Sequence, residues 1–320
     1  MKKLTFLILF IFSLAQVFGQ EPGETKWKEN LSKNRIKSQV QWNHKYVKGK
    51  PKRDGYKNFT KKFDHNGNVI EEIYYQSGNI DQKLSYKYDQ DDNKVEYVNY
   101  KGDESKVMFK QNITYDNSKR KIREERYNGT DYQIIKYSYD DESRITEITR
   151  SDVFGNIEHH RVFNYKGNIC EISIIDDQKN NIGKIINKYD NKFNIIESTE
   201  YDTKGEIKEK YIYTFKDNLV REKTKYVLGN FRYREEYKYD ENRNLVKILK
   251  EEPKEEIFVS NIYIYDKSGN LTKEEWYDDN PNENSSKTYF YDKKGVLEKV
   301  EVYYALYRYK IQYRFDYKRY

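Results

Sequence analysis

Cysteine is nearly missing: Cys170 is the only one in 320 residues, so no internal disulfide is possible. Stability must come from packing and strand pairing, even in an oxidising compartment that would permit cross-links. Histidine is also scarce, with four residues, His44, His65, His159 and His160, on which any zinc site or catalytic base would have to draw. No apolar run reaches the roughly 20 residues that a membrane-spanning helix needs. The longest, Leu4 to Leu14, is shorter and has no stop-transfer pattern after it. No cysteine follows that run, which excludes a bacterial lipoprotein. The sequence also lacks a Gly-x-Ser-x-Gly elbow, a phosphate-cradling loop and a dinucleotide fingerprint. The net charge of +7 comes from acidic and basic residues mixed along the chain, a solvated surface rather than a nucleic-acid-binding stripe.

What is present begins with Met1-Lys2-Lys3, the apolar run and Val17-Phe18-Gly19-Gln20, the order of a secretory signal peptide. Cleavage is expected between Gly19 and Gln20, with Ser13-Leu14-Ala15 as a competing site. The mature chain would then have no transmembrane anchor. Aliphatic residues are few, but 34 tyrosines can bury large rings while their hydroxyls find polar partners.

An aromatic-Asp pair, or a degenerate form of it, recurs at Phe63, Tyr88, Tyr115, Tyr139, Phe163, Tyr189, Tyr213, Tyr239, Tyr265, Tyr291 and Phe315, at intervals of 24 to 27 residues. Tyrosines two residues earlier, as at Tyr86, Tyr137, Tyr237 and Tyr263, share one face of a strand with it. Asn follows four residues after the Asp position, often preceded by Gly, as in Asp64-x-x-Gly67-Asn68 and Asp266-x-x-Gly269-Asn270. Asp closes side-chain turns, and Gly and Asn tolerate positive φ, so this pattern predicts a tight reversal. A second turn lies midway, as at Gly78, Gly102, Gly129 and Gly229. Each repeat is thus two strands and two turns. The predicted fold is all-β: tandem antiparallel β-hairpin repeats of about 25 residues forming a long, coiled β-sheet strip or solenoid, since an open sheet of some 20 strands must curl.

Tyr237-Lys-Tyr-Asp-Glu-Asn-Arg-Asn-Leu245 and Tyr263-Ile-Tyr-Asp-Lys-Ser-Gly-Asn-Leu271 resemble the YD repeats of Rhs-type proteins, and the likeness runs over residues 63–320. That resemblance implies sheet strips that spiral into tubes or shells. There are departures. The period is longer than is usual in that family, no Asp-Pro dipeptide occurs, so the self-cleaving core finds no match, and no toxin domain is recognisable. The organisation expected is a signal peptide at 1–19, an amino-terminal cap with a diverged repeat at 20–62 and the repeat array at 63–320. Within the cap, residues 24–38 form a short charged helix or stay mobile, and residues 39–46 form a strand.

No catalytic, cofactor-binding or metal site emerges from this pattern. His65 sits in a turn, and His159 and His160 point to opposite faces of a strand. Cys170 is expected opposite Val162, as a small buried residue without an activating histidine. Asp89-Gln90-Asp91-Asp92 and Tyr277-Asp278-Asp279-Asn280 offer oxygens to calcium, but they lack the spacing of a calcium loop and suit solvated turns. The tyrosine ladder is either the core or a surface for sugars. The function expected is an exported, non-enzymatic repeat scaffold or binding protein, secreted, periplasmic or at the cell surface, with no cofactor and no nucleic acid. Its partners would be proteins or glycans. Two alternatives stay open: a shortened relative of a toxin-encapsulating Rhs shell, and a glycan-binding surface protein using exposed tyrosines.

Overall fold

The repeated aspartate makes its turn with its own carboxylate. Asp64 Oδ1 accepts from the backbone N–H groups of Asn66 and Asn68 at 2.9 and 2.8 Å, and Oδ2 accepts from Asn68 Nδ2 at 2.9 Å. The same set recurs at Asp89, Asp190 and Asp266. At Asp116 and Asp140 an arginine stands in for the Asn and its Nε takes over the side-chain bond. These contacts satisfy backbone donors that the reversal would otherwise leave without partners. The residue before the Asn is left-handed. Gly67 takes φ 82° there, and a Cβ would lie 2.9 Å from the Lys28 carbonyl. Phe193 occupies the same place at φ 62° with its ring 80 % exposed, so it carries the steric cost of that conformation and gains no burial. Phe193→Gly is therefore expected to stabilise the protein by about 0.5–1 kcal/mol in urea unfolding, the αL relief outweighing the added chain entropy. An unchanged midpoint would contradict this account of the turn.

The computed structural model describes residues 22–103, 106–277 and 283–320; the expected signal peptide, 1–19, lies outside the described residues. One helix, α1 (Glu24–Lys33), precedes 23 strands, β1 to β23 in chain order. Just after each Asp turn, pairing resumes across a bulge: Phe63 faces Val69, Tyr88 faces Lys94 and Tyr265 faces Leu271. Bulges at such positions bend the strand and sharpen its twist. Repeated turn after turn, they curve the whole sheet.

The curvature brings the first strand to the last. β1 (Ile36–Val47) pairs antiparallel with β3 (Tyr56–Phe63) on one side and with β23 (Tyr309–Arg319) on the other. Gln39, for example, faces Lys61 and Tyr317. Apart from β2 (Lys50–Pro51), a short addition to the end of β1, the remaining 22 strands form a closed antiparallel barrel. This corrects the expectation of an open coiled strip or solenoid. An open strip leaves two rows of unpaired backbone groups, and the strand expected only to cap the array satisfies both rows at once.

The two rims differ. The Asp turns that end each repeat, α1 and Tyr320 lie at one rim, here the near rim; the mid-repeat turns and the β1–β3 connection lie at the far rim. α1 crosses the near rim beside the seam: Leu31 packs with Ile36, Phe63 and Val296, Trp27 meets the Phe63 ring edge-on at 5.8 Å, and Asn30 Nδ2 donates to Asn270 Oδ1 at 3.0 Å. The helix braces three turns of the rim on either side of the closing strand.

Register at three repeats differs from the sequence expectation. β11 (Ile157–Lys166) runs two residues further before a tight turn at Gly167-Asn168, so Cys170 in β12 (Ile169–Asp176) faces Tyr165 rather than Val162. The rim aromatics in such repeats are Tyr165, Phe215 and Tyr317, not Phe163, Tyr213 and Phe315. Aromatics stand two residues apart on the same strand face in each case, and Phe163-Asn164 imitates the usual pair closely enough to hide the shift.

Candidate functional site

One face of the sheet carries the tyrosines, and their hydroxyls bind neighbouring repeats together. Tyr88 donates to the Val69 carbonyl at 3.0 Å, Tyr165 to Ile145 at 3.0 Å, Tyr291 to Leu271 at 2.7 Å and Tyr317 to Leu297 at 2.6 Å. Each acceptor is a strand-start carbonyl one repeat earlier. Deeper along the same face Tyr213 and Tyr237 are buried and pack with Ile195 and Val220. Of the two roles open to the ladder, these rings serve as core.

The same face holds glutamates that sequence reasoning passed over. Glu72 accepts from Tyr74 and Tyr86 at 2.6 and 3.1 Å and pairs with Lys61 at 3.2 Å. Glu124 has no exposed surface. It takes Gln111 at 2.6 Å, Tyr137 and Lys121 at 3.2 Å, and Arg126. Glu235 takes Tyr237 at 2.7 Å, and Glu209 takes Tyr211 and Lys225, both at 3.0 Å. The signal was legible: Glu209-x-Tyr211 and Glu235-x-Tyr237 repeat the one-face spacing of the tyrosines. Burial alone would push the Glu124 carboxyl up, but Arg126, Lys121 and Gln111 hold it below the usual carboxylate range. A general acid needs the opposite shift. The arrangement ties strands together, and Glu124 is shifted away from what a general acid requires.

The opposite face is laid with lysine-glutamate-lysine rows across three strands. Glu96 bridges Lys87 at 2.8 Å and Lys110 at 3.2 Å, Glu197 bridges Lys188 and Lys210 at 3.0 Å each, and Glu71 bridges Lys62 at 2.7 Å and Lys83 at 3.2 Å. Facing opposite charges contribute modestly each and fix register together.

The four histidines stand apart. His44 is buried with Nδ1 2.9 Å from the Lys52 carbonyl, and His65 stacks on Tyr320 at 3.9 Å. His160 lies 2.7 Å from Glu147 on the charged face, while His159 is on the tyrosine face, where burial and then Arg150 push it down, toward the neutral form. Cys170 is fully buried, and that burial pushes its thiol up to about 11, leaving it protonated and a poor nucleophile at neutral pH. The acidic run 89–92 is absorbed locally. Asp89 closes its turn, Asp91 pairs with Lys119 at 2.8 Å and Asp92 accepts from Asn66 and Asn68. Asp278, Asp279 and Asn280 lie outside the described residues. Among the described residues, no three His, Cys, Asp or Glu side chains converge as a metal site.

At the near rim an open groove of 630 Å³ lies between two consecutive turns, lined by Asp240, Asn244, Tyr263, Tyr265 and Asp266 among others. It is a furrow between repeats with carboxylates already committed to their turns.

No family model matches the chain, and no curated protein matches it. Solved structures do. One is "Crystal Structure of TcdB2-TccC3", 14 % identical, covering 84 % of this chain with a TM-score of 0.34. Another is a porin-like protein from Bacteroides uniformis ATCC 8492, 10 % identical, covering 89 % of this chain and 97 % of its own, with a TM-score of 0.30. A porin-like protein from Bacteroides vulgatus ATCC 8482 is 8 % identical over 88 % of this chain and 98 % of its own, with a TM-score of 0.24. The chain spans only 15 % of the TcdB2-TccC3 chain it matches. Identities and scores this low assign the chain to no family; the barrel itself rests on the strand pairing described above.

Proposed function

We propose that this chain is an exported, non-enzymatic barrel scaffold of the cell envelope, offering its rims and loops to protein or glycan partners. The observation that carries the reading is that its chemistry-bearing side chains are committed to holding the ring. The Asp carboxylates close turns, the tyrosine hydroxyls bridge repeats, and glutamates such as Glu72 and Glu124 are matched to cations and phenols on the same face. Among the described residues, neither face offers the continuous apolar band, about 25 Å tall, that a lipid-embedded barrel turns toward the bilayer: one bears the Lys-Glu rows and the other the buried glutamates. A water-facing barrel is the reading this supports.

Fractionation of cells expressing the full chain tests it. The mature amino terminus should begin at or near Gln20 by mass spectrometry, and alkaline carbonate should release the protein from the envelope fraction. An intact Met1 on a cytosolic species would overturn the export reading, and retention with integral membrane proteins would overturn the water-facing one. Where a glycan array or pull-down yields a binding activity, His159→Ala, His160→Ala and Cys170→Ser should leave it intact; loss in any variant that folds normally would point to a localised active site.

A further inference from the structure

Exposed apolar side chains gather at the far rim. Phe154, Leu228, Leu306 and Tyr307 stand at turn tips there, between 55 and 87 % exposed. At one corner they coincide with unbalanced charge. The turn between β22 (Leu297–Tyr304) and β23 carries Leu306, Tyr307 and Arg308, followed by Tyr309 and Lys310. Beside it, because β1 pairs with β23, runs the β1–β3 connection with Val47, Lys48, Lys50, Lys52, Arg53 and Tyr56, and Lys45 just before it. Lys45 faces Ile311 across the seam, and Asn43 faces both Tyr313 and Tyr56, so the two segments form one patch.

Seven cations meet a single acid in these segments, Asp54. Across the strands of the same barrel, lysines are met by glutamates in facing rows, so this corner departs from the rule of the molecule. The nearby acids are taken: Glu301 pairs with Lys299 and accepts from Gln312, and Glu283 accepts from Tyr303. Aromatic and aliphatic tips projecting past a fringe of lysines and arginines match the two layers of an anionic bilayer surface, phosphates outermost and acyl chains beneath. Long basic side chains reach the phosphates while tyrosine rings settle at the headgroup level. We propose that this seam corner of the far rim docks the barrel peripherally on an anionic lipid surface.

The test is co-sedimentation of the mature chain with large vesicles of phosphatidylcholine alone or mixed with phosphatidylglycerol. Binding is expected to the mixed vesicles only, falling at least tenfold in K48E/K50E/R308E and also in L306S/Y307S, with circular dichroism unchanged in both. Indifference of the wild type to phosphatidylglycerol would overturn the proposal. So would binding that survives both variants. Loss in the charge variant alone, with equal wild-type binding to heparin, would make the corner a site for acidic polymers instead. A shift of L306S/Y307S from dimer to monomer without change in vesicle binding would assign the patch to a second copy. Each of these outcomes is independent of carbonate release, which a peripheral and a purely soluble barrel share.

Discussion

Cysteines introduced at Ser38 and Lys318 should form an intramolecular disulfide almost quantitatively under mild oxidation. These residues face each other directly across the β1–β23 seam, and facing residues in antiparallel strands have Cα atoms about 4.5–5.5 Å apart, inside the range a disulfide spans. Both lie on the charged face, so neither substitution disturbs the tyrosine core. The cross-link would close a loop of about 280 residues, for which chain entropy predicts a stabilisation of roughly 5.6 kcal/mol, less any strain in the bridge. Cys170, buried across the barrel, should stay reduced. Non-reducing mass spectrometry and denaturant unfolding of S38C/K318C give the answer. An uncrosslinked or mainly intermolecular product would mean that the first and last strands do not meet in solution, and the closed barrel would have to be given up for an open strip.

Alkali should dismantle the barrel between about pH 10 and pH 12, over and above any loss of lysine charge. Burial, then Asp64 and Glu72, pushes the Tyr88 phenol up to about 12, and burial, then Tyr263 and Asp240, does the same to Tyr265. An unfolded chain ionises its tyrosines near 10. The folded state therefore holds these protons more tightly, and the stability this represents is fully present below about pH 10 and lost as pH climbs through 12. Tyr86, Tyr137 and Tyr237 are pushed further the same way, by burial first and then by Glu72, Glu124 and Glu235 respectively. Phenolate absorbance from the ladder should rise only together with the loss of β circular dichroism. A single gradual titration near pH 10 with the β signal intact would show that the ladder is not buried as described. The double variant Tyr88→Phe/Tyr265→Phe separates phenol from lysine effects, since removing two of the raised phenols should move the loss of β signal to higher pH while the lysines stay the same.

What the sequence disclosed was local. Asp64 and Asn68 interact across four residues, so their turn could be written down from residue chemistry, and the one-face spacing of Tyr263 and Tyr265 followed from the strand period. His159 and His160 fall on opposite faces for the same reason. What stayed hidden depends on partners far along the chain. Nothing in the segment around Val40 says that it will meet Asp316 as well as Thr60, and whether a curved strip closes or spirals depends on a small rotation per strand summed over the whole ring. The polar residues Gln39, Gln41 and Asn43 on β1 are buried, with side chains of β3 and β23 flanking them on both sides, and neither neighbour could be named from the sequence. At the candidate sites, the burial of Cys170 was legible from the aliphatic residues that other repeats place there, but its partner Tyr165 was not, since the two-residue turn at Gly167-Asn168 shifted the register. The seam corner of the far rim was invisible for the same reason as the seam itself: its two segments are neighbours only because the ring closes.

That closure also fixes the order of events in folding. Apart from the seam, every strand pairs with its predecessor or successor across a short turn, so nearly all of the sheet assembles from contacts of low sequence separation, which form fast. The β1–β23 pairing joins residues some 275 positions apart, and the entropy of bringing those ends together is met only once the intervening strands have shortened the path. The barrel should zip as an open ribbon and close last. During that interval the free edges of β1 and β23 are the aggregation-prone surfaces, and a chaperone in the same compartment would recognise the ribbon, not the ring.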